Sequence, residues 1–249
     1  MAKVNEIVKF LDKELKIRSI PDRSKNGLQV RCKSNIEKVG FAVDSDLLTL
    51  EKAKLNGVDM LIVHHGIIWK PLKYKDLVKK KISFLKKNNM SLYGAHLPLD
   101  AHEKYGNNIE LCRILDLIKT KKFGGYEGAI VGFAGEFKEP KDINEIAQIL
   151  DKKLETQCKV FEFGKKTIKK IGIVSGGGTD SLPDAVKQKK DCFLTGETGL
   201  GAYRRAQDYK MSMIVAGHYA TETLGVKALM PVISKRFKVQ TIFIDNKGI

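Results

Sequence analysis

The sequence predicts an α/β protein: two similar, interlinked α/β domains with a metal site in the cleft between them. Three observations predict it. Apolar, strand-like runs lead directly into histidine three times, as Met60-Leu61-Ile62-Val63 into His64-His65-Gly66, Ser91-Leu92-Tyr93-Gly94-Ala95 into His96, and Met213-Ile214-Val215-Ala216-Gly217 into His218. Two of these histidines have a carboxylate four residues on, Asp100 after His96 and Glu222 after His218. The two halves also repeat. Lys38-Val39-Gly40-Phe41 matches Lys170-Ile171-Gly172-Ile173 at an offset of 132, and His96 and Asp100 match His218 and Glu222 at an offset of 122. Ligands of α/β sheets bind outside the carboxyl ends of the strands, which is where all these residues fall.

The elements follow in order. Val4, Ile7, Val8, Leu11 and Leu15 recur at helical spacing, and Pro21-Asp22 ends that helix. Asn26-Gly27-Leu28-Gln29-Val30 reads as a turn into a short strand, and Lys38 to Val43 as a second strand. Asp44 and Ser45 offer N-cap oxygens for a helix through Leu55, with Leu47, Leu48, Leu50, Ala53 and Leu55 on its buried side. Gly57 stops it, and the strand to His64 follows. Such a strand, helix, strand unit with short connections pairs its strands in parallel. Leu77, Val78, Ile82 and Leu85 form an apolar stripe in the Lys-rich stretch 70–89, and Asn107 to Ile118 reads as another helix. Gly124-Gly125 marks a break after which the pattern restarts: strand at Gly128 to Gly135, helix at Ile143 to Leu154, strand at Lys159 to Phe163. Ile171 to Val174 enters the glycine-rich turn Ser175 to Thr179, with Asp180 capping a helix through Lys187. Cys192 to Leu194, a helix near Leu200 to Ala206, the strand to His218, a helix from Glu222 to about Ile233 and a strand Gln240 to Ile244 complete the chain. The expected domains are 1–124, joined by a last strand within 236–249, and 125–235.

At 249 residues the chain can bury a sizeable core. No run approaches the roughly 20 apolar residues of a membrane helix, and Met1 to Glu6 has no signal-peptide pattern, so a soluble, cytoplasmic protein without a membrane partner is expected. Cys32, Cys112, Cys158 and Cys192 are scattered without Cys-x-x-Cys spacing and read as reduced packing residues. The net charge of +16 attracts polyanions, so DNA is an expected partner of the Lys-rich surface, although a Lys-rich thermophilic composition accounts for the same balance.

Imidazole and carboxylate donors suit Fe, Mn, Zn, Co or Ni. Adjacent strand residues point to opposite faces, so His64 and His65 serve one ion only if the chain turns there; two divalent ions, each taking one histidine, solve the geometry. Asp100 and Glu222 then bridge them and His218 completes one shell, leaving open positions for water, as in catalytic two-metal sites. His64, His65, Asp100, His218 and Glu222 are the candidate metal ligands. Glu222 and His96 are the candidate catalytic residues, His96 as a hydrogen-bonding group that orients a ligand or substrate. His102 reads as a surface residue. Ser175 to Thr179 lacks the Lys of a P-loop and reads as a tight turn rather than a phosphate cradle. Trp69 either stacks on a base or covers the site.

With Asn26-Gly27-Leu28-Gln29-Val30, His64-His65-Gly66 with Trp69, Ala95-His96 to Asp100, Thr195-Gly196-Glu197 and Gly217-His218-Tyr219-Ala220-Thr221-Glu222, the chain resembles the NGG-one-interacting factor three-like family, often named GTP cyclohydrolase I type 2. The resemblance runs nearly end to end, without the large inserted domain of some relatives. It implies a two-domain α/β subunit, a dinuclear site at the five ligands above, a toroidal homohexamer, and hydrolytic attack at C8 of a guanine ring with release of formate. No residue set is specific to guanine, so the residues themselves support only a metal-dependent hydrolase of a nucleotide-like small molecule. The alternative is a toroidal DNA-binding protein whose metals are structural.

Overall fold

The computed structural model describes residues 1–247. The order opens with β1 (Ala2–Lys3), α1 (Val4–Glu14), β2 (Gly27–Val30), β3 (Asn35–Ile36), β4 (Lys38–Ala42), α2 (Leu47–Leu55), β5 (Met60–Val63), α3 (Lys75–Lys87), β6 (Ser91–Gly94) and α4 (Leu97–Asp100). It continues with α5 (Asn107–Ile114), β7 (Ile118–Tyr126), β8 (Ala129–Asp142), α6 (Ile143–Leu154), β9 (Lys159–Phe161), β10 (Thr167–Val174) and a 3-10 turn, Gly178–Ser181. Then come α7 (Leu182–Lys187), β11 (Cys192–Thr195), α8 (Leu200–Asp208), β12 (Ser212–Val215), α9 (His218–Phe237) and β13 (Gln240–Phe243). Among the described residues no helix is long and apolar enough to cross a membrane.

Most elements follow the apolar periodicity, and the departures have local causes. Asp46, not Asp44 or Ser45, caps α2: its carboxylate accepts from Thr49 N at 3.1 Å. Leu50 and Ala53 form the buried side of that helix, whereas Leu48 and Leu55 are exposed. Helix α5 stops at Ile114, and the left-handed Asp116 turns the chain so that Ile118 opens β7. Gly124-Gly125 lies inside β7, and the hairpin to β8 reverses at Glu127-Gly128, both with positive φ. Asp180 sits within the 3-10 turn, and the N-cap position of α7 is Ser181. Helix α9 begins at His218, four residues before its expected start, and continues past Pro231. Cys112 and Cys192 are buried free thiols; burial pushes Cys112 up to about 12, which suits a packing residue.

Contacts divide the chain into a first unit, Met1–Leu99 with Gly225 onward, and a second, Asp100–Leu224. These crossings precede the limits expected near 124 and 235. β7 pairs with β8 and so belongs to the second sheet, and α9 itself straddles the later crossing.

The first unit contains a five-stranded sheet in the order β13-β4-β5-β6-β2, parallel except for β2, and the small antiparallel pair β1-β3. Leu50, Leu61, Val63, Leu85 and Leu92 lie in its core. The second unit has a six-stranded sheet, β7-β8-β10-β11-β12-β9, whose β10, β11 and β12 run parallel. Phe137, Ile146, Ile171, Leu194 and Ile214 lie in its core. Interior strands β5, β6, β11 and β12 are buried at every residue, which explains why they read as unbroken apolar runs rather than alternations.

The repeat extends to single atoms. Lys33 Nζ meets Asp59 Oδ1 at 2.5 Å, and Asp59 Oδ2 accepts from Glu37 N and Lys38 N at 2.7 and 3.0 Å. At the same offset of 132, Lys165 Nζ meets Asp191 Oδ1 at 2.6 Å, and Asp191 Oδ2 accepts from Lys169 N and Lys170 N at 3.0 and 2.8 Å. Each aspartate thus ties the start of one parallel strand to its neighbour. Burial pushes both carboxyls up, but the donated hydrogen bonds and the lysine outweigh it and hold both below the ordinary aspartate value.

Candidate metal centre

In the first unit, parallel pairing carries the backbone past the end of β5. His64 N donates to Ala42 O at 3.2 Å and His65 N to Val43 O at 2.7 Å, while Ala95 N donates to Val63 O at 2.9 Å. The chain then bends at His64-His65 instead of remaining extended. That bend removes the geometric objection to a shared site: one ligand atom from each of His64, His65 and His96 lies within 4.8 Å of the others. The geometry at the end of β5 therefore lets both adjacent histidines serve one ion.

Each imidazole is oriented by a partner at Nδ1. His64 Nδ1 lies 2.9 Å from Ala95 O, His65 Nδ1 2.8 Å from Asp44 Oδ1, and His96 Nδ1 3.0 Å from Asp22 Oδ1. A carbonyl or carboxylate there accepts from Nδ1–H and leaves the lone pair on Nε2, the arrangement metal-binding histidines use. Asp22 is fixed in turn by Ser24 N and Asn26 Nδ2, both at 2.8 Å. Burial pushes its carboxyl up, yet the hydrogen bonds and charge of His96, with those from Asn26 and Ser24, bring it below the ordinary value. Asn26 Oδ1 also accepts from His96 N at 2.8 Å. Gln29 Oε1 accepts from Ile67 N at 2.7 Å, and the Nε2 end of the same amide fills the space where a Cβ on Gly66 would stand, which explains the glycine after the two histidines. Trp69 donates from Nε1 to Gly66 O at 2.7 Å and packs edge-on to His96, ring centroids 4.9 Å apart.

In the second unit, the first turn of α9 carries His218 and Glu222. Glu222 Oε2 lies 3.2 Å from His218 Nε2, and Glu197 Oε2, just past β11, lies 2.9 Å from His218 Nδ1. Burial pulls the imidazole pKa down, but Glu222 and then Glu197 outweigh it and raise it to about 9, so at neutral pH a cationic ring sits between two carboxylates. Asp100 is buried, and its Oδ1 accepts from Asn107 Nδ2 at 2.8 Å and from Ser175 Oγ at 3.0 Å. Asp100 and Glu222, each about 5% exposed or less, bring carboxylate oxygens within 4.8 Å of one another.

The glycine-rich turn serves this half-site through its backbone. Ser175 N donates to Asn108 Oδ1, Gly176 N to Thr221 Oγ1 and Gly178 N to Thr195 Oγ1. With these amides committed inside the protein, the turn is structural and not a phosphate cradle. Gly176, at φ +58°, lies so close to the Glu222 carboxylate that any Cβ would collide with it.

The donors fit a divalent cation. Two buried carboxylates this close repel unless a positive charge lies with them, and a divalent cation would supply that charge. The sequence-level candidates therefore gather as His64, His65 and His96 in one unit and Asp100, His218 and Glu222 in the other. Asp22, Asp44 and Glu197 were missed. The signal for Asp44 and Glu197 was present: each stands two residues beyond the end of a parallel strand. His102, half-buried, accepts from Tyr105 N at 3.0 Å and stacks on the Tyr105 ring, a local turn-forming role.

The chain is similar to known proteins over nearly its whole length. A Pyrococcus horikoshii protein named GTP cyclohydrolase 1 type 2 homolog is 50% identical over 244 residues, 97% of each chain. An Archaeoglobus fulgidus protein of the same name is 38% identical over 241 residues, 96% of each chain. Among solved structures, TTHA1606 from Thermus thermophilus superposes with a TM-score of 0.89 over 99% of each chain at 36% identity. The family model described as Duf34/NIF3 (NGG1p interacting factor 3) matches residues 2–248, and the chain belongs to that family.

Proposed function

We propose that this chain is a metal-dependent hydrolase of a nucleotide-like small molecule. In this reading His64, His65, Asp100, His218 and Glu222 together hold two divalent ions of the Fe, Mn, Zn, Co or Ni class. The observation that carries it is the buried Asp100 and Glu222 pair, reinforced by three imidazoles preset with Nδ1 engaged. Bound ions would acidify a coordinated water and neutralise charge in a hydrolytic transition state. The chain's own residues do the rest. Glu222, buried beside Asp100, is the group placed to accept a proton from the attacking water. His96, held by Asp22, presents Nε2 to the substrate, and Trp69 shields that imidazole on one side. The relatives' name makes GTP the first substrate to try, and the homohexamer implied by the resemblance is part of the same proposal.

The test is turnover of GTP and other nucleotides by metal-reconstituted protein beside Glu222→Gln. The reading expects a loss of roughly 10²- to 10⁴-fold in the variant, the usual worth of a positioned acid or base. The net charge of +16 favours one other reading, a DNA-binding ring with structural metals. Steeply salt-dependent DNA binding, unchanged in Glu222→Gln and accompanied by no turnover of any nucleotide, would replace the hydrolase with that reading.

A further inference from the structure

A cavity of about 340 Å³ in the first unit opens beside the histidine cluster and carries four cations, Arg23, Lys70, Lys73 and Lys81, with the rings of Trp69 and Tyr74. None of the described residues lining it is acidic. The geometry points to a phosphate-binding site here for a small phosphorylated ligand, one whose reacting end lies at the imidazoles. The cavity and the candidate centre share a wall: Trp69 lines the cavity and packs against His96 at 4.9 Å and His65 at 6.1 Å between ring centroids.

The cations are built in by the backbone. Lys70 N donates to Arg23 O at 2.8 Å, and Ser24 and Trp69 form an antiparallel bridge, so two basic side chains leave one short ladder side by side. Lys81 comes from α3 on the other side. It is half-buried, and desolvation lowers its pKa in spite of the opposing pull of Asp46 and Asp44, a cost that a bound anion offsets. Concave clusters of Lys and Arg around an aromatic wall suit phosphate more than carboxylate, because several donors converge on several oxygens. Such a site explains part of the positive balance without invoking a polymer.

This assignment deepens the hydrolase reading and rests on it for the reacting end, but its test is separate. Trp69 is the only tryptophan, so its fluorescence reports directly on the cavity wall. Metal-reconstituted protein is titrated with GTP, inorganic triphosphate, guanosine and a short DNA duplex, and the series is repeated with Lys70→Ala and Lys73→Ala, both at exposed positions. GTP and triphosphate are expected to change the emission saturably, guanosine to bind at least tenfold more weakly, and each variant to weaken GTP about tenfold. In turnover assays the same variants raise KM with kcat little changed. Equal binding of guanosine and GTP, or GTP binding unaffected in both variants, overturns the phosphate site. Binding of the duplex alone, weakened by the variants, also overturns it and assigns these cations to nucleic acid. Variant-sensitive GTP binding without any turnover leaves the phosphate site standing and removes the hydrolase.

Discussion

Asp44 and Asp22 do for His65 and His96 what a main-chain carbonyl does for His64: they engage Nδ1 and leave the lone pair on Nε2. A partner of this kind sets ring orientation and basicity, so Asp44→Asn is expected to weaken metal binding by roughly 10- to 100-fold while the fold persists. Competition with a chromophoric chelator, beside an unchanged circular dichroism spectrum, measures both. Gly176→Ala is expected to fail differently. The new methyl would meet the Glu222 carboxylate and would stand in a left-handed backbone, so metal binding and about 1 to 3 kcal/mol of stability are lost together. Denaturant titration read against metal titration separates it from Asp44→Asn. The sequence exposed the histidines because each follows an unbroken apolar run. It hid Asp22, because an aspartate 74 residues before His96 becomes its neighbour only through the fold.

At the scale of elements, the two strand starts tied by Asp59 and Asp191 make matching predictions. Asp59→Ala or Asp191→Ala strips two backbone amides of their acceptor, and each is expected to cost roughly 2 to 4 kcal/mol in chemical denaturation. Both carboxyls have lowered folded-state values, so their contribution is fully present above the ordinary aspartate value of 3.8. It is lost as pH falls through the lower folded values. Acid unfolding of the wild type should therefore steepen below about pH 4, and the double Asp→Asn variant should lose that steepness. Interior elements were legible for the same reason that they are stable: β5, β6, β11 and β12 are wholly buried and α6 runs from Ile143 to Leu154 as its periodicity requires. The edge strand β7 was not, since Lys119, Lys121 and Lys122 give it no apolar alternation and its glycines resemble a break.

For the whole molecule, a cation that binds only the folded chain stabilises it by mass action, about 2.7 kcal/mol at a hundred times Kd. Thermal melts in Zn or Mn should rise with concentration, fall back with chelator, and stay flat in Glu222→Gln. The α/β class and the internal repeat were readable from the chain, whereas its division was not. Both crossings pass through helices, α4 and α9, whose sequence carries no loop signal at Leu99 or Leu224.

The lysine–aspartate tie that recurs at a constant offset means that both units are fastened in the same way at the rim where their parallel strands begin. Where those strands end the units differ in part, one having His64-His65 where the other has Gly196-Glu197. The scaffold is thus fastened at one rim of each sheet and the chemistry is carried at the other. A mutant library restricted to the chemical rim should change reactivity while most of its members still fold.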